Sequence, residues 1–132
     1  MESLHLEIVL PVFPKELCRA WLSSVEHRGF TGAAAVIDPH VGGSFSAGDG
    51  YISGKTLAIE RPHRILQSWR TTDFPAGSPD SMLEILFEPE AESTRLVLNH
   101  TDIPDGQKET YAAGWQEYYF VPMQEYFRLR NK

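Results

Sequence analysis

The chain has 132 residues, of which 42% are hydrophobic and 23% are charged, and its formal net charge at pH 7 is −6. This size predicts a single domain over residues 1–132, large enough to bury a core without cross-links. The negative charge disfavours a nucleic-acid partner, because binding to a phosphate backbone depends on Lys and Arg side chains.

Cysteine and histidine spacing argue against a metal site. Cys18 is the only cysteine, which excludes an intrachain disulfide and a four-cysteine zinc site. The histidines show neither a His-x-His nor a His-Glu-x-x-His pattern. The N-terminus does not look like a secretory signal, and no run of 18 apolar residues could span a membrane. We expect a cytoplasmic protein with no metal, no cofactor and no membrane partner.

The first forty residues predict one strand and then a helical region. Apolar and polar side chains alternate over residues 4–10, which is typical of a half-buried strand, and Pro11 ends it. Pro14 suits the first turn of a helix. An apolar stripe at helical spacing predicts that this helix runs to about Ser24. The stripe holds Leu17, Trp21 and Val25. A short helix or turn over residues 26–30 follows, broken by Gly29 and Gly32.

From residue 33 onward, short alternating stretches between turn residues predict six more strands. They cover residues 33–37, 41–47, 51–60, 64–71, 81–88 and 94–100. The pair Asp49-Gly50 is a hairpin signal, and Gly42-Gly43 predicts a β-bulge or a tight turn at a strand entry rather than a phosphate loop. Because the turns are tight, neighbouring strands are expected to pair antiparallel.

Residues 110–129 predict one long amphipathic helix with an unusually aromatic inner face. At 3.6 residues per turn, the inward stripe holds Tyr111, Trp115, Tyr118, Pro122, Tyr126 and Leu129, with Tyr119 and Met123 beside it. Pro122 leaves the carbonyl of Tyr118 without its usual bond and predicts a kink. We expect residues 111–119 to face the mouth of a pocket and residues 123–127 to close its base. Gly114 predicts a close approach to a strand or to the first helix.

The order of these elements is strand, helix, six strands and long helix, which predicts an α+β fold. A twisted antiparallel sheet must cover its apolar face. The aromatic helix is the element large enough to do so, and we expect the sheet to curl around it.

A set of short motifs occurs in one order along the chain. They are Phe13-Pro14 before Trp21, Gly42-Gly43-Ser-Phe45, Gly54 followed by Ile59-Glu60-Arg61-Pro62, Ile65-x-x-x-Trp69, Thr94-x-Leu96-x-Leu98-x-His100 and Gly114-Trp115-x-x-Tyr118-Tyr119-Phe120. The set resembles the family homologous to the C-terminal domain of the heat-shock-protein-90 ATPase activator, within the START-like, pollen-allergen-like helix-grip superfamily. The resemblance covers about residues 4–127. It implies a seven-stranded antiparallel sheet gripping the C-terminal helix, two short helices after the first strand, and often a cavity between sheet and helix.

Three functions follow as hypotheses. The first is binding of a small apolar or aromatic ligand in that cavity, with seven expected contact residues. These are Trp21, Trp69, His100, Tyr111, Trp115, Tyr118 and Tyr119. The second is interaction with a chaperone whose ATPase the domain modulates, which places the protein in the stress response. The third is an enzyme of the polyketide cyclase kind, although no residue can be assigned as catalytic.

Each of these residues also has a purely structural interpretation. His100 ends an apolar strand and is either a polar anchor or proton carrier for a ligand, or a core-edge histidine bonded to a Tyr hydroxyl or the backbone. The aromatic stripe either lines a pocket or fills the core. Trp21 is either the core anchor of the first helix or part of a pocket rim. The pattern His100-Thr101-Asp102 has no identifiable nucleophile beside it, so binding is favoured over catalysis.

Overall fold

The computed structural model describes residues 1–130 as a curved antiparallel sheet around a C-terminal helical region. The seven strands are β1 (Glu2–Leu10), β2 (Val36–Ile37), β3 (Ser44–Ala47), β4 (Ile52–Glu60), β5 (Arg64–Thr71), β6 (Ser81–Glu90) and β7 (Ser93–Ile103). Their order in the sheet is β1-β7-β6-β5-β4-β3-β2. The helices are α1 (Pro14–Trp21), α2 (Ser24–Thr31), α3 (Lys108–Gly114), a π-helical segment (Trp115–Phe120) and α4 (Val121–Arg130). The predicted α+β helix-grip fold is confirmed.

The two short helices implied by the resemblance are present, but the predicted end of the first helix at about Ser24 was wrong. The helix α1 ends at Trp21, and α2 begins at Ser24. Ser23 caps α2, because its side-chain oxygen accepts a hydrogen bond from the Glu26 backbone N–H at 3.2 Å. Ser-x-x-Glu is a known helix-start pattern. The new start turns Val25 outward, where 70% of its surface is exposed, instead of onto the predicted apolar stripe.

Strands β2 and β3 are shorter than predicted, because turn contacts take the hydrogen bonds of their expected first residues. The Ala34 N–H donates to the Asp49 carboxylate instead of to a neighbouring strand. The Gly43 N–H donates to the His40 carbonyl in a tight turn. A Cβ on Gly43 would lie 2.5 Å from the Asp38 side chain, which explains the glycine at this strand entry. The interpretation of Gly42-Gly43 as a tight turn is confirmed.

The concave face of the sheet carries the core, as the alternation predicted. Ile65, Gln67 and Trp69 of β5 are all buried. The corresponding face of β6 and β7 is almost completely inaccessible. It is formed by Leu83, Ile85, Phe87, Leu96, Leu98 and His100. The C-terminal helix lies over this face, so the sequence pattern was sufficient to orient the sheet.

The inner face of the C-terminal helix differs from the predicted stripe. Five buried residues follow each other at intervals of four, and Phe120 is buried beside them; the five are Tyr111, Trp115, Tyr119, Met123 and Phe127. Tyr118 is 63% exposed and Leu129 is 55% exposed, so their predicted inward positions were wrong. A regular α-helix has 3.6 residues per turn and would carry a four-residue repeat off the inner face. The wider π-helical segment, in which the Val121 N–H bonds to the Gln116 carbonyl, corrects this drift.

Candidate functional site

A cavity lies between the first half of the C-terminal helix and the side of the sheet formed by β4 and β5. Its volume is about 560 Å³. Five of the predicted contact residues line it, namely Trp69, Tyr111, Trp115, Tyr118 and Tyr119. The other lining residues are Thr31, Ala33, Gly48, Asp49, Tyr51, Ile52, Asp73, Thr110 and Gly114. By contrast, Met123 and Phe127 in the second half of the helix have no exposed surface and belong to the packed core.

The aromatic wall of the cavity is held by contacts between its own rings. The centroids of Trp69 and Tyr111 are 5.0 Å apart at an angle of 82°. Trp115 lies 5.6 Å from Trp69 and 4.7 Å from Tyr119. Such edge-to-face and tilted arrangements are the favourable ones for aromatic rings. The wall is therefore apolar and already formed before any ligand arrives.

Hydroxyl groups form a polar rim on the same cavity. The Tyr111 hydroxyl donates to the Gln107 side-chain oxygen at 2.6 Å and is 2.7 Å from the Thr71 hydroxyl. The Tyr51 hydroxyl donates to the Asp73 carboxylate at 2.6 Å. Burial and the Asp73 carboxylate together raise the pKa of Tyr51 to about 12. Tyr51 therefore remains a neutral hydrogen-bonding group at physiological pH.

His100 lies behind this wall and does not line the cavity. Its Nε2–H donates to the Ser81 hydroxyl oxygen at 2.9 Å, and its Nδ1 accepts from the Trp115 indole N–H at 3.2 Å. Ser81 in turn donates to the Trp69 carbonyl. Burial lowers the pKa of His100 to about 3. His100 is thus a neutral core histidine that positions Trp115, as in its structural interpretation, although its partners are Ser and Trp instead of Tyr or backbone.

Trp21 also lies behind the wall. Its ring stacks on Trp115 with 6.3 Å between centroids, and its indole N–H donates to the Gln67 side-chain oxygen at 3.3 Å. The structure therefore places Trp21 as an anchor for the ring that faces the cavity. A direct ligand contact by Trp21 or His100 remains a prediction.

His27 contacts the cavity-lining residue Tyr119, and the sequence pattern did not predict this position. Its Nδ1–H donates to the Trp21 carbonyl at 3.0 Å, and its Nε2 accepts from the Tyr119 hydroxyl at 2.7 Å. Burial lowers the pKa of His27 to about 4. The signal that could have found it is the Ser23-x-x-Glu26 helix start, which sets the register of α2 and puts His27 and Phe30 on its inner face.

Gly114 does not allow the close approach that was predicted for it. A Cβ built on Gly114 would meet only the Tyr118 ring, at 3.9 Å, among the described residues. Gly114 instead lines the cavity near the middle of its helical wall. A larger side chain at this position would extend into the cavity.

The mouth of the cavity includes two acidic residues that the sequence did not indicate. Asp49 comes from the turn between β3 and β4, and Asp73 from the loop between β5 and β6. No local motif connects these two positions, because only the folded sheet brings the two loops together. Within residues 1–130, no group of three or more His, Cys, Asp or Glu side chains could hold a metal ion. None of the helices in the described part of the chain has the length and apolar character of a membrane span.

Comparisons with known proteins agree with this architecture. Residues 12–128 match the family model described as "Activator of Hsp90 ATPase homolog 1-like protein". The chain is 29% identical over 114 residues to the human activator of 90 kDa heat shock protein ATPase homolog 1, covering 86% of this chain and 33% of the human protein. The chain thus spans about a third of the length of the curated relatives it matches.

Solved structures extend the comparison to the fold. The crystal structure of PFC0360w, an HSP90 activator from Plasmodium falciparum, matches with a TM-score of 0.87 and 25% identity, covering 95% of both chains. CalU16 from Micromonospora echinospora matches with a TM-score of 0.79 and 22% identity, covering 95% of this chain and 75% of its own, and shares the fold. The helix-grip architecture and the match over residues 12–128 show that this chain belongs to the family of Hsp90 ATPase activator homologue 1-like proteins.

Proposed function

We propose that this domain binds a small apolar or aromatic molecule in the cavity beside the first half of its C-terminal helix. The observation that carries the proposal is the cavity itself, about 560 Å³ in volume and walled by aromatic side chains. Ligand sites in proteins are typically about 300–1,000 Å³, mostly apolar, with a few polar groups that fix orientation. The hydroxyls of Tyr51 and Tyr111, which both line the cavity, supply such groups.

The contrast within one helix supports this reading. Trp115 and Tyr119 in the first half of the C-terminal helix line the cavity, whereas Met123 and Phe127 in the second half do not line it and have no exposed surface. Because Gly114 has no side chain, it leaves free the part of the cavity that a leucine at this position would fill.

Filling the cavity from Gly114 should abolish binding without weakening the fold. In Gly114→Leu the new side chain enters the cavity, and replacing glycine in a helix also removes an intrinsic cost of about 0.8 kcal/mol. We expect the affinity for the neutral fluorophore N-phenyl-1-naphthylamine to fall at least about tenfold, while the melting temperature is unchanged or higher. Fluorescence titration and thermal unfolding measure the two effects.

The matched control is Ala113→Leu, on the adjacent, solvent-exposed helix position. It makes a similar change in side-chain size and should leave the fluorophore affinity unchanged. Failure of the unaltered protein to bind the fluorophore or any member of a lipid and flavonoid panel would contradict the proposal. Equal binding by Gly114→Leu and the unaltered protein would place the ligand elsewhere.

A second candidate function is modulation of a chaperone ATPase. The observation that favours it is the family match over residues 12–128, together with relatives that are described as Hsp90 activators. Adding the domain to a purified Hsp90-type chaperone should increase its ATPase rate, and the two proteins should co-elute in gel filtration. The Gly114→Leu variant should stimulate equally well if the chaperone binds the outer surface. An unchanged ATPase rate with separate elution would rule out this partner.

Catalysis by His100 has weaker support than binding. Both ring nitrogens are engaged, by Ser81 and Trp115, and His100 does not line the cavity. A general base must reach the proton that it removes, directly or through one water molecule. The cyclase-type alternative would therefore require a different residue, and the polar rim offers only neutral hydroxyls and two carboxylates.

A further inference from the structure

The charged side chains that line the cavity are all acidic. Among the described residues that line it, Asp49 and Asp73 are acidic, and none is Lys, Arg or His. Both aspartates are exposed to solvent at the mouth of the cavity. The opening through which a ligand would enter is therefore negative, while the interior is aromatic.

Neither of these carboxylates is neutralised by a neighbour. Other acidic side chains on the sheet form ion pairs, as Glu84 does with Arg64 and Asp80 with Arg70. In contrast, Asp49 and Asp73 take part in none of the ion pairs found within residues 1–130. Exposed acidic residues elsewhere, such as Glu88 and Glu92, also have no ion pair among these, but Asp49 and Asp73 are the two acidic residues that line the cavity.

Hydrogen bonds hold the two carboxylates in place and leave acceptor capacity on each. One oxygen of Asp49 accepts the Ala34 backbone N–H at 2.7 Å. One oxygen of Asp73 accepts the Tyr51 hydroxyl at 2.6 Å. A carboxylate has about four lone-pair sites on two oxygens, so each can accept further bonds from a charged donor. Both carboxylates are therefore held in place and can still accept hydrogen bonds from a ligand.

The aromatic wall adds a second attraction for positive charge. The faces of Trp and Tyr rings carry negative electrostatic potential and attract ammonium or guanidinium groups within about 6 Å. Tyr118, which is 63% exposed, provides such a ring on the cavity lining. The two carboxylates and this ring therefore favour the same kind of ligand group.

We propose that the cavity selects ligands with an aromatic or apolar body and a positively charged amine or guanidinium group. This inference rests on the proposed ligand-binding function and specifies its substrate class. The apolar body occupies the space beside Trp69 and Trp115, and the charged group lies between Asp49 and Asp73 at the mouth. The same two carboxylates disfavour ligands that carry a carboxylate or a phosphate.

Three naphthalene probes of nearly equal size separate charge from shape. They are 2-naphthylmethylamine, which is cationic at pH 7, 2-naphthalenemethanol, which is neutral, and 2-naphthoate, which is anionic. Isothermal titration of the unaltered protein should give affinities in that order, with the amine about tenfold tighter than the alcohol. Asp49→Asn and Asp73→Asn should each weaken the amine several-fold and leave the alcohol unchanged. Asparagine keeps the observed hydrogen bonds to Ala34 and Tyr51, and it tolerates the positive φ of residue 49.

Glu92→Gln is the control for a general loss of negative charge. Glu92 is exposed in the turn between β6 and β7, at the end of the sheet away from the cavity, and its change should alter no affinity. If the alcohol or the carboxylate binds at least as tightly as the amine, the charge preference is overturned and ligand binding stands. If none of the three probes binds, both proposals are overturned. Equal weakening of amine and alcohol by the aspartate variants would also overturn the charge preference.

Discussion

Lowering the pH from 7 to 5 is expected to cost the fold about 4 kcal/mol of unfolding free energy, because two buried histidines are neutral in the folded state. Burial lowers the pKa of His27 to about 4 and that of His100 to about 3. In the unfolded chain both titrate near about 6.5, so below that pH the unfolded state binds more protons and stability falls with pH. Each histidine contributes about 2 kcal/mol at pH 5, since one pKa unit corresponds to about 1.4 kcal/mol.

The hydrogen-bond partners of the two histidines explain why protonation is less favourable at His100 than at His27. Protonation of His100 would put a new N–H at Nδ1, facing the indole N–H of Trp115 that now donates to it. At His27 the Tyr119 hydroxyl faces Nε2 and can rotate to accept a proton from it. The neighbour of His27 can accept the added proton and the neighbour of His100 cannot, which agrees with the lower pKa of His100. His5 on the outer face has its pKa raised by Glu7, and its contribution has the opposite sign.

Urea unfolding at pH 7, 6 and 5 measures this dependence. Between pH 6 and 5 the unfolding free energy should fall by about 2.7 kcal/mol per pH unit, and by about half as much in His27→Gln or His100→Gln, which each remove one titrating group. The control Val25→Ala, at an exposed helix position, removes no titrating group and should retain the full slope. A stability that stays constant from pH 7 to pH 5 would mean that both histidines are charged in the folded protein.

Phe127→Ala should destabilise the domain by about 3–5 kcal/mol, the range for truncating a buried aromatic residue. Phe127 has no exposed surface, and its ring lies 6.1 Å from Phe30 and 5.0 Å from Tyr126. The Arg130 guanidinium is 6.0 Å from the same ring. The substitution therefore opens a void between α4 and α2, next to Phe30. Chemical unfolding measures the loss.

Leu129→Ala is the matched test two residues away. Leu129 is 55% exposed, and its truncation should change the unfolding free energy by less than about 0.5 kcal/mol. A regular α-helical stripe through Tyr118 and Tyr126 predicts instead that Leu129 is a core residue. A loss at Leu129 comparable to that at Phe127 would contradict the face assigned to α4. Ligand affinity should be unaffected by either change in protein that remains folded.

The sheet was predictable because its signal is local. Alternation in β5 and β7 put Ile65, Trp69, Leu96 and His100 on the buried face, and the structure agrees. The break between α1 and α2 was placed about three residues too late, because the helical spacing of Leu17, Trp21 and Val25 outweighed the cap formed by Ser23. A single capping hydrogen bond changes the direction of the chain there, although its free energy is only about 1 kcal/mol.

The cavity was predictable in part. Five aromatic residues were identified as its wall from the resemblance and the helical pattern, but their actual register follows the π-helical segment, which no periodicity rule specifies. Asp49, Tyr51 and Asp73 could not be assigned, since they lie on separate loops whose proximity depends on the curvature of the sheet. Gly114 was predicted to allow a close approach to a strand or to the first helix, and its place in the cavity lining became clear only from the structure.

The π-helical segment over Trp115–Phe120 also determines where this helix can change in length. A π-helical turn closes its hydrogen bond one residue later than an α-helical turn, so it holds one residue more. Loss of one residue from the segment would restore a regular α-helix and keep both α3 and α4 on their present faces. Loss of one residue from α4 would instead rotate everything after it by about 100° and expose Phe127. Evolutionary insertions and deletions in this helix should therefore collect beside Tyr118, where they reshape the wall of the cavity and leave the packed base intact.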